Sequence, residues 1–568
     1  MEKKWIVKDE ANPPLADQLA EEINVSPALA SLLIQRNIRG FDQAKDFFRP
    51  SLKNLHDPFL LKDMDHAVRR LVLAIQRNEK ILVYGDYDVD GTTSVALVYG
   101  FLRSIYSNVA FYIPDRYQEG YGISEKGIDY AAEQDFRLIV SLDCGIRAVR
   151  LVNKARKQGI DFIICDHHRP GDELPPAHAI INAKQEGCRY PYKELCGCGV
   201  GFKLLHAYCV ETKRPTEELY EYLDLVAVAI AADIVPITGE NRILAYYGLR
   251  QLNRSTRPGL KALAEVAGLR SPLTIDSIVF GIAPRINAAG RMKHAKAAVD
   301  LLLAQEEVAA MATATQLNKN NSQRRDFDTD MTQQALAMIG HDEQLKQAKS
   351  TVLFDASWHK GVVGIVASRC IERYYRPTVI LTESNGKATG SARSVQGFDV
   401  YEAITECADL LDQFGGHTHA AGLTLPIDNV PLFREKFEET VSQRIQEEHL
   451  VPCIDIEQII ELSEITPRFY SIVKQMAPFG PGNMRPIFAS KSLEVVGTPQ
   501  ILKEQHLKFT VGQPGANCQL TAIGFGMAHF YEYIYGQKPF SMAYTIEENH
   551  YNGHTSLQLM IRDIKVNG

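Results

Sequence analysis

Three apolar runs of strand length, residues 81–84, 138–142 and 162–165, each give way to a polar loop and then to helix-like periodicity. Strands alternating with helices predict an α/β fold with a parallel sheet covered on both faces. In such sheets ligands sit outside the carboxyl ends of the strands, and this chain keeps acidic residues there. The first run leads into Asp86, Asp88 and Asp90 of DYDVDG, the second into Asp143 of SLDCG, and the third into Asp166 of CDHH, where His167 and His168 follow. Asp233 of AADIVP closes an apolar helical run.

Three carboxylates at alternate positions repel one another unless a cation gathers them. DxDxDG also opens the calcium loop of an EF-hand, but that pattern requires Glu at its twelfth position. Here the twelfth residue is Leu97 and the preceding element reads as a strand, so that reading fails. A single Asp after a strand is more often a turn or N-cap residue, and His-His alone says little. Four element ends in one layer, each offering a metal-type ligand, predict a metal centre. Oxygen ligands with one or two imidazoles suit manganese or magnesium better than zinc. The carboxylates suffice for two ions, one carboxylate being shared.

The remaining segments organise around this layer. Residues 1–60 read as short amphipathic helices broken by Pro13, Pro14, Pro27, Pro50 and Pro58. Between Arg291 and Ile339 there is no Gly or Pro, and one helix there would span about 70 Å. This predicts a helix connecting two lobes, with a break near residues 318–321; two helices of one bundle are the alternative. A second α/β unit follows, with strands at 351–354 and 377–381, a helix from Val362, and a glycine-rich end at 415–422. From Val451 strand-like alternation takes over, and Asn552 with Gly553 marks a two-residue hairpin. A small β-barrel of nucleic-acid-binding type suits this tail, and a β-sandwich fits it nearly as well. The expected segments are 1–60 (helical), 61–290 (the α/β lobe with the acidic motifs), 291–348 (connecting helix), 349–450 (second lobe) and 451–568 (β domain).

Composition narrows the function. Lys plus Arg number 62 and Asp plus Glu 69, a net charge of −7, which excludes coating of nucleic acid by bulk charge but permits a local basic groove. No run approaches the ~20 apolar residues of a membrane helix, and the N-terminus lacks a signal-peptide core, so a cytoplasmic protein is expected. Ten cysteines are scattered. The local group Cys188, Cys196 and Cys198 lacks paired CxxC knuckles, so free thiols are expected rather than structural zinc.

In order and spacing, DYDVDG, SLDCG, CDHH and AADIVP resemble the four motifs of the DHH phosphoesterase superfamily. GGHTHAAG at 415–422 resembles the signature of its DHH-associated domain, and PRINAAGRM and GSARS resemble segments of the RecJ single-strand-specific exonucleases. The resemblance implies two α/β lobes, DHH and DHH-associated, joined by a long helix and followed by an OB-like barrel. It also implies a two-metal site. Asp88 and Asp143, helped by Asp86, would hold one manganese or magnesium; Asp90, Asp143, His167 and Asp233 would hold the other, with Asp143 bridging. Many superfamily members carry a His at the start of the first motif, where this chain has Tyr84 and Asp86, so the ligand set of the first ion stays open. His168 would support the site or meet the phosphate.

Arg116, Arg285, Arg291, Ser391 and Arg393 become candidate phosphate ligands, since guanidinium groups match phosphate oxygens bidentately. Arg116, Ser391 and Arg393 would hold a terminal 5′ phosphate. His417, flanked by Gly415 and Gly416, would approach the scissile phosphate. Tyr84, Tyr87, Tyr117 and Tyr121 lie near the motifs and are candidates for base stacking, although tyrosines are more often core. The implied activity is 5′→3′ hydrolysis of single-stranded DNA to 5′-mononucleotides in repair and recombination, by a monomer working with a helicase and a single-strand-binding protein. One rival is a small-substrate DHH phosphodiesterase acting on oligoribonucleotides or cyclic dinucleotides; the N-terminal segment, the β tail and the RecJ-type arginines speak against it. A non-catalytic scaffold is the other, and the full set of carboxylates and histidines speaks against that.

Overall fold

The computed structural model describes residues 2–8, 13–254, 257–292, 295–536, 538–551 and 553–566. The chain divides into two compact units, one of Lys8–Asn320 with Ile456–Gly568, the other of Met1–Val7 with Asn321–Asp455. A short strand β1 (Lys4–Val7) opens the chain, and helices Pro13–Ile23, Pro27–Ile34 and Phe41–Phe48 follow. Proline starts the first two: Pro27 occupies the first turn of its helix, where no amide partner is lost, and Ser26 caps the Leu29 amide.

The layer that carries the acidic motifs is a parallel sheet of β2 (Lys80–Gly85), β3 (Val109–Tyr112), β4 (Phe136–Leu142), β5 (Asp161–Cys165) and β6 (Ala179–Ile181), in the order β3-β2-β4-β5-β6. Period-two alternation sends Ile81 and Val83 into one core and Leu82 and Tyr84 into the other. The runs at 81–84, 138–142 and 162–165 are the three inner strands. The edge strands escape sequence reading because β3 is only partly buried and β6 has three residues. Strand order reverses on either side of β2, so a crevice opens at the carboxyl ends of β2 and β4.

The connecting helix is Glu307–His341, 35 residues, or about 52 Å. It starts later than expected, because Leu301 and Leu302 are buried in the core at the end of a separate helix, Lys296–Leu302. It also runs unbroken through residues 318–321. Asn320 and Asn321 are buried there and Gln316 donates to Asn320 Oδ1 at 3.0 Å, so packing overrides asparagine's weak helix propensity.

The second unit carries β7 (Thr351–Phe354), β8 (Thr378–Ser384), β9 (Lys387–Arg393), β10 (Gln413–His417) and β11 (Ala420–Pro426), in the order β10-β11-β9-β8-β7. Helices Val363–Arg373 and Val430–Arg444 contribute Val366, Ala367, Phe433 and Phe437 to its cores. β1 pairs with β12 (Cys453–Ile456).

The tail comprises β13 (Gln458–Ile459), β14 (Phe488–Leu502), β15 (His506–Gly512), β16 (Gln519–Gly524), β17 (Phe540–Tyr551) and β18 (His554–Val566). β17 pairs with β14 as well as β18, which closes the sheet and decides for a barrel over a sandwich. The hairpin forms with Tyr551 opposite His554; Asn552 itself lies outside the described residues. Leu19, Leu29 and Leu32 of the N-terminal helices share one core with Phe488, Leu507 and Phe540 of the barrel.

Candidate metal centre

Each acidic motif reaches the crevice by a different local device. The DYDVDG loop is so tight that a Cβ on Gly91 would lie 2.5 Å from the Asp86 carbonyl oxygen. This turn makes Asp88 the N-cap of helix Val89–Ile105, accepting from the Gly91 amide at 2.9 Å, and places Asp90 in the first helical turn. Asp86 is fully buried and accepts from the Gly122 amide at 3.2 Å. Asp143 follows β4 with φ +58°, a left-handed conformation that Asp tolerates better than most residues. Asp233 caps the carboxyl end of helix Leu223–Ala232.

His167 stands where these groups converge. Its Nε2 lies 3.1 Å from Asp143 Oδ1, 3.6 Å from Asp233 Oδ2 and 3.8 Å from Asp90 Oδ2. Burial pulls its pKa down to about 3, which keeps the imidazole neutral with a lone pair to give. Both its nitrogens, Asp143 Oδ1, Asp233 Oδ2 and Asp86 Oδ2 are buried without a hydrogen-bond partner. Such orphaned atoms are costly, and a divalent cation is the group that would satisfy several at once. Two sets have ligand atoms within 4.8 Å of one another: Asp90, His167 and Asp233, and Asp143, His167 and His168. Asp86 and Asp88 belong to neither set among the described residues. Burial and then the neighbouring carboxylates push Asp90 up to about 7 and Asp233 up to about 8, and hold Asp86 and Asp143 well above the carboxylate range. A cluster that resists ionising by itself is one that needs positive charge.

Asp166 departs from the expectation that it offers a metal-type ligand. Its carboxylate is fully engaged, accepting from the amides of Ile146 (3.0 Å), His167 (2.7 Å) and His168 (3.1 Å) and from His168 Nδ1 (2.7 Å). Burial raises its pKa, but the bond and charge of His168 outweigh that and hold it at about 2. In return, Asp166 overcomes burial and lifts His168 to about 9. Sequence reasoning also missed what holds Asp90. Its oxygens accept from the amides of Gly197 (2.6 Å) and Cys198 (2.8 Å), at the positive N-terminus of helix Gly197–Thr212. A Cβ on Gly197 would sit 2.5 Å from Asp143 Cβ, so that helix approaches the centre only because residue 197 has no side chain. The run CGCGVG was the one signal of this approach. The ten cysteines are free, and among the described residues none joins a metal-type group.

The candidate phosphate ligands fall into three places. Arg116 lies over the Tyr87 ring at 5.0 Å, and the Tyr117 hydroxyl donates to the Arg291 carbonyl, which brings both arginines beside the DYDVDG loop. Arg285 donates to Gly281 O (2.7 Å) and Asn318 Oδ1 (3.0 Å), tying helix Ala283–Met292 to the long helix. In the second unit Arg393 donates to Ser391 Oγ at 2.6 Å, and burial lowers its pKa. There Gly415 pairs with Gly422 and leaves the sheet face bare, whereas Gly416 is required by the hairpin, a Cβ meeting Ala420 O at 2.3 Å. His417 is exposed, and partial burial with the charges of His419 and Arg393 pulls its pKa down. Of the tyrosines, Tyr84 is core, its hydroxyl bound to Gly122 O at 3.1 Å, which removes it as a stacking candidate. Tyr121 is exposed, edge-on to Tyr87 and 3.4 Å from His168 Nε2.

Comparison with known proteins identifies the domains. Residues 80–230 match the DHH family N-terminal domain, 347–443 the DHHA1 domain and 456–563 the RecJ OB domain. The chain is 37% identical over 552 residues to the single-stranded-DNA-specific exonuclease RecJ of Bacillus subtilis, covering 96% of this chain and 69% of that one. It is 33% identical to the Escherichia coli protein of the same name, over 95% of this chain and 96% of that one. A crystal structure of Thermus thermophilus RecJ in complex with Mn2+ superposes with a TM-score of 0.84 at 27% identity, covering all of this chain and 80% of that one. With three matching domains and relatives aligned over 95–96% of its length, the chain belongs to the RecJ family.

Proposed function

We infer that the chain is a metal-dependent exonuclease that hydrolyses single-stranded DNA to 5′-mononucleotides. The observation that carries this reading is the convergence of His167 Nε2, Asp143 Oδ1 and Asp233 Oδ2, all buried and unpartnered, at the carboxyl ends of the sheet. Their donor set fits manganese or magnesium, and both ions occur in the Thermus thermophilus RecJ crystal structures. Asp90, Asp143, His167 and Asp233 would hold one ion, and Asp88 and Asp143 with Asp86 the other. When bound, the two ions supply a water of lowered pKa and a clamp for in-line displacement at phosphorus.

The protein's own groups do the rest. Asp166 keeps His168 protonated, so His168 Nε2–H can donate to a phosphate oxygen. The Gly197 and Cys198 amides fix Asp90. Arg116, Arg285, Arg291, Ser391, Arg393 and His417 bind phosphates, with Arg116, Ser391 and Arg393 holding the 5′ end. That assignment rests on the RecJ-like motifs and makes the direction 5′→3′. The domain division 1–60, 61–290, 291–348, 349–450 and 451–568 belongs to the same reading, as do a cytoplasmic location, a monomer, and a helicase and a single-strand-binding protein as partners in repair and recombination. No helix among the described residues is long and apolar enough to cross a membrane.

The test is incubation with Mn2+ and a single strand carrying a 5′ phosphate, with labels internally and at the 3′ end. Progressive shortening from the 5′ side with release of mononucleotides, absent in Asp143→Ala, is the expected result. An intact strand beside rapid cleavage of dinucleotides would move the protein to the small-substrate branch, and near-normal turnover in Asp143→Ala would remove the metal assignment.

A further inference from the structure

Ile234 holds a backbone conformation that its own side chain disfavours. Its φ is +59°, in the left-handed region where a β-branched residue is an outlier. Glycine or asparagine would make the same turn at lower cost.

Both flanks dictate the turn. Before it, the Asp233 amide closes a helix on Ala229 O at 2.9 Å. After it, Tyr192 Oη and Asn241 Nδ2 both donate to Pro236 O at 3.0 Å, and the Ile237 amide donates to Pro481 O at 2.7 Å. The chain must change direction within residues 234–235, and residue 234 takes the strain.

Burial does not account for an isoleucine here either. Ile234 is 65% exposed, while the next residue, Val235, is buried. The side chain is therefore strained and wet at once and gains little in the free protein. Strain of this kind collects where a site needs it. The Ile234 Cα is one peptide, about 3.8 Å, from that of Asp233, whose Oδ2 is buried and unpartnered in the metal centre. Ile234 therefore leaves uncovered apolar surface next in the chain to a candidate metal ligand.

We propose that Ile234 is a substrate-contact residue, whose side chain packs on the apolar face of the sugar or base of the nucleotide bound at Asp233. The contact is apolar and indifferent to base identity, as cleavage of any single strand requires. It rests on the exonuclease reading above and adds to it a residue that touches the nucleoside rather than the phosphate.

The test compares wild type, Ile234→Gly and Ile234→Val for KM and kcat on a single-stranded oligonucleotide, for Mn2+ affinity by calorimetry, and for melting temperature. Ile234→Gly should raise KM about tenfold, leave kcat and Mn2+ affinity within twofold, and melt no lower than wild type, because the strain is gone. Ile234→Val, which keeps most of the apolar surface, should stay close to wild type. An unchanged KM in Ile234→Gly would overturn the proposal. So would a loss that tracks weakened Mn2+ binding or a lower melting temperature, since the residue would then act on the fold or on Asp233. Failure of the wild type itself to degrade the strand would refute the exonuclease reading instead.

Discussion

Replacing Gly197 with alanine adds one methyl group where the structure has no space for it. The new Cβ would lie 2.5 Å from Asp143 Cβ and 2.9 Å from both Asp143 Cα and Oδ1. Carbon atoms in contact sit about 3.5–4.0 Å apart, so helix Gly197–Thr212 and the Asp143 turn must separate by roughly 1 Å. Metal–ligand distances tolerate about 0.2 Å. The same movement stretches the Gly197 and Cys198 amide bonds to Asp90, now 2.6 and 2.8 Å. Disturbing groups that orient metal ligands typically lowers metal affinity 10- to 100-fold, about 1.4–2.7 kcal/mol. Calorimetric titration of the metal-free variant with Mn2+ measures this directly, and Gly340→Ala is the control, since nothing lies within 4 Å of a Cβ there. Mn2+ affinity within twofold of wild type in Gly197→Ala would refute the argument that this helix end positions both carboxylates.

Two further outcomes follow from buried charge. Asp90 at about 7 and Asp233 at about 8 bind protons more tightly in the fold than at the ordinary 3.8. Their contribution to stability is complete below about pH 4 and is lost as pH rises through 7 to 8; His168, raised to about 9, acts in the same sense at higher pH. The melting temperature of the metal-free protein should fall from about pH 5 to 8.5 and the gain from added Mn2+ should grow, so a flat metal-free profile would contradict the cluster. Arg242 is buried and donates to the carbonyls of Phe47 (2.9 Å), Met476 (2.9 Å) and Ala477 (3.1 Å), joining the N-terminal helices and the segment before the barrel to the catalytic layer. Arg242→Met strands those carbonyls and should destabilise its unit by about 3 kcal/mol. Denaturant unfolding that changes by less than about 1 kcal/mol would show the junction is held otherwise.

The chemistry of this protein was legible in its sequence because it is local. Asp86, Asp88 and Asp90 are alternate residues, His167 and His168 are neighbours, and each motif directly follows the apolar run that becomes its strand. The inner strands and the proline-started helices were readable for the same reason, since periodicity and caps lie within a few residues. Tertiary structure decided whatever depends on residues far apart in the chain. Asp90 is held by amides at 197 and 198, and no spacing rule links a first-turn Asp to a helix more than a hundred residues later. Asp166 looked like a ligand until His168 and three amides were seen to occupy it. No motif shows that Arg285, a candidate phosphate ligand, also bonds Gly281 and Asn318 and so ties two helices together. The long helix began at Glu307 because Leu301 and Leu302 are buried elsewhere, and the barrel closed through β14 and β17, strands about fifty residues apart. Side-chain identity sets what each position can do; long-range packing sets which of those capacities are left free to act.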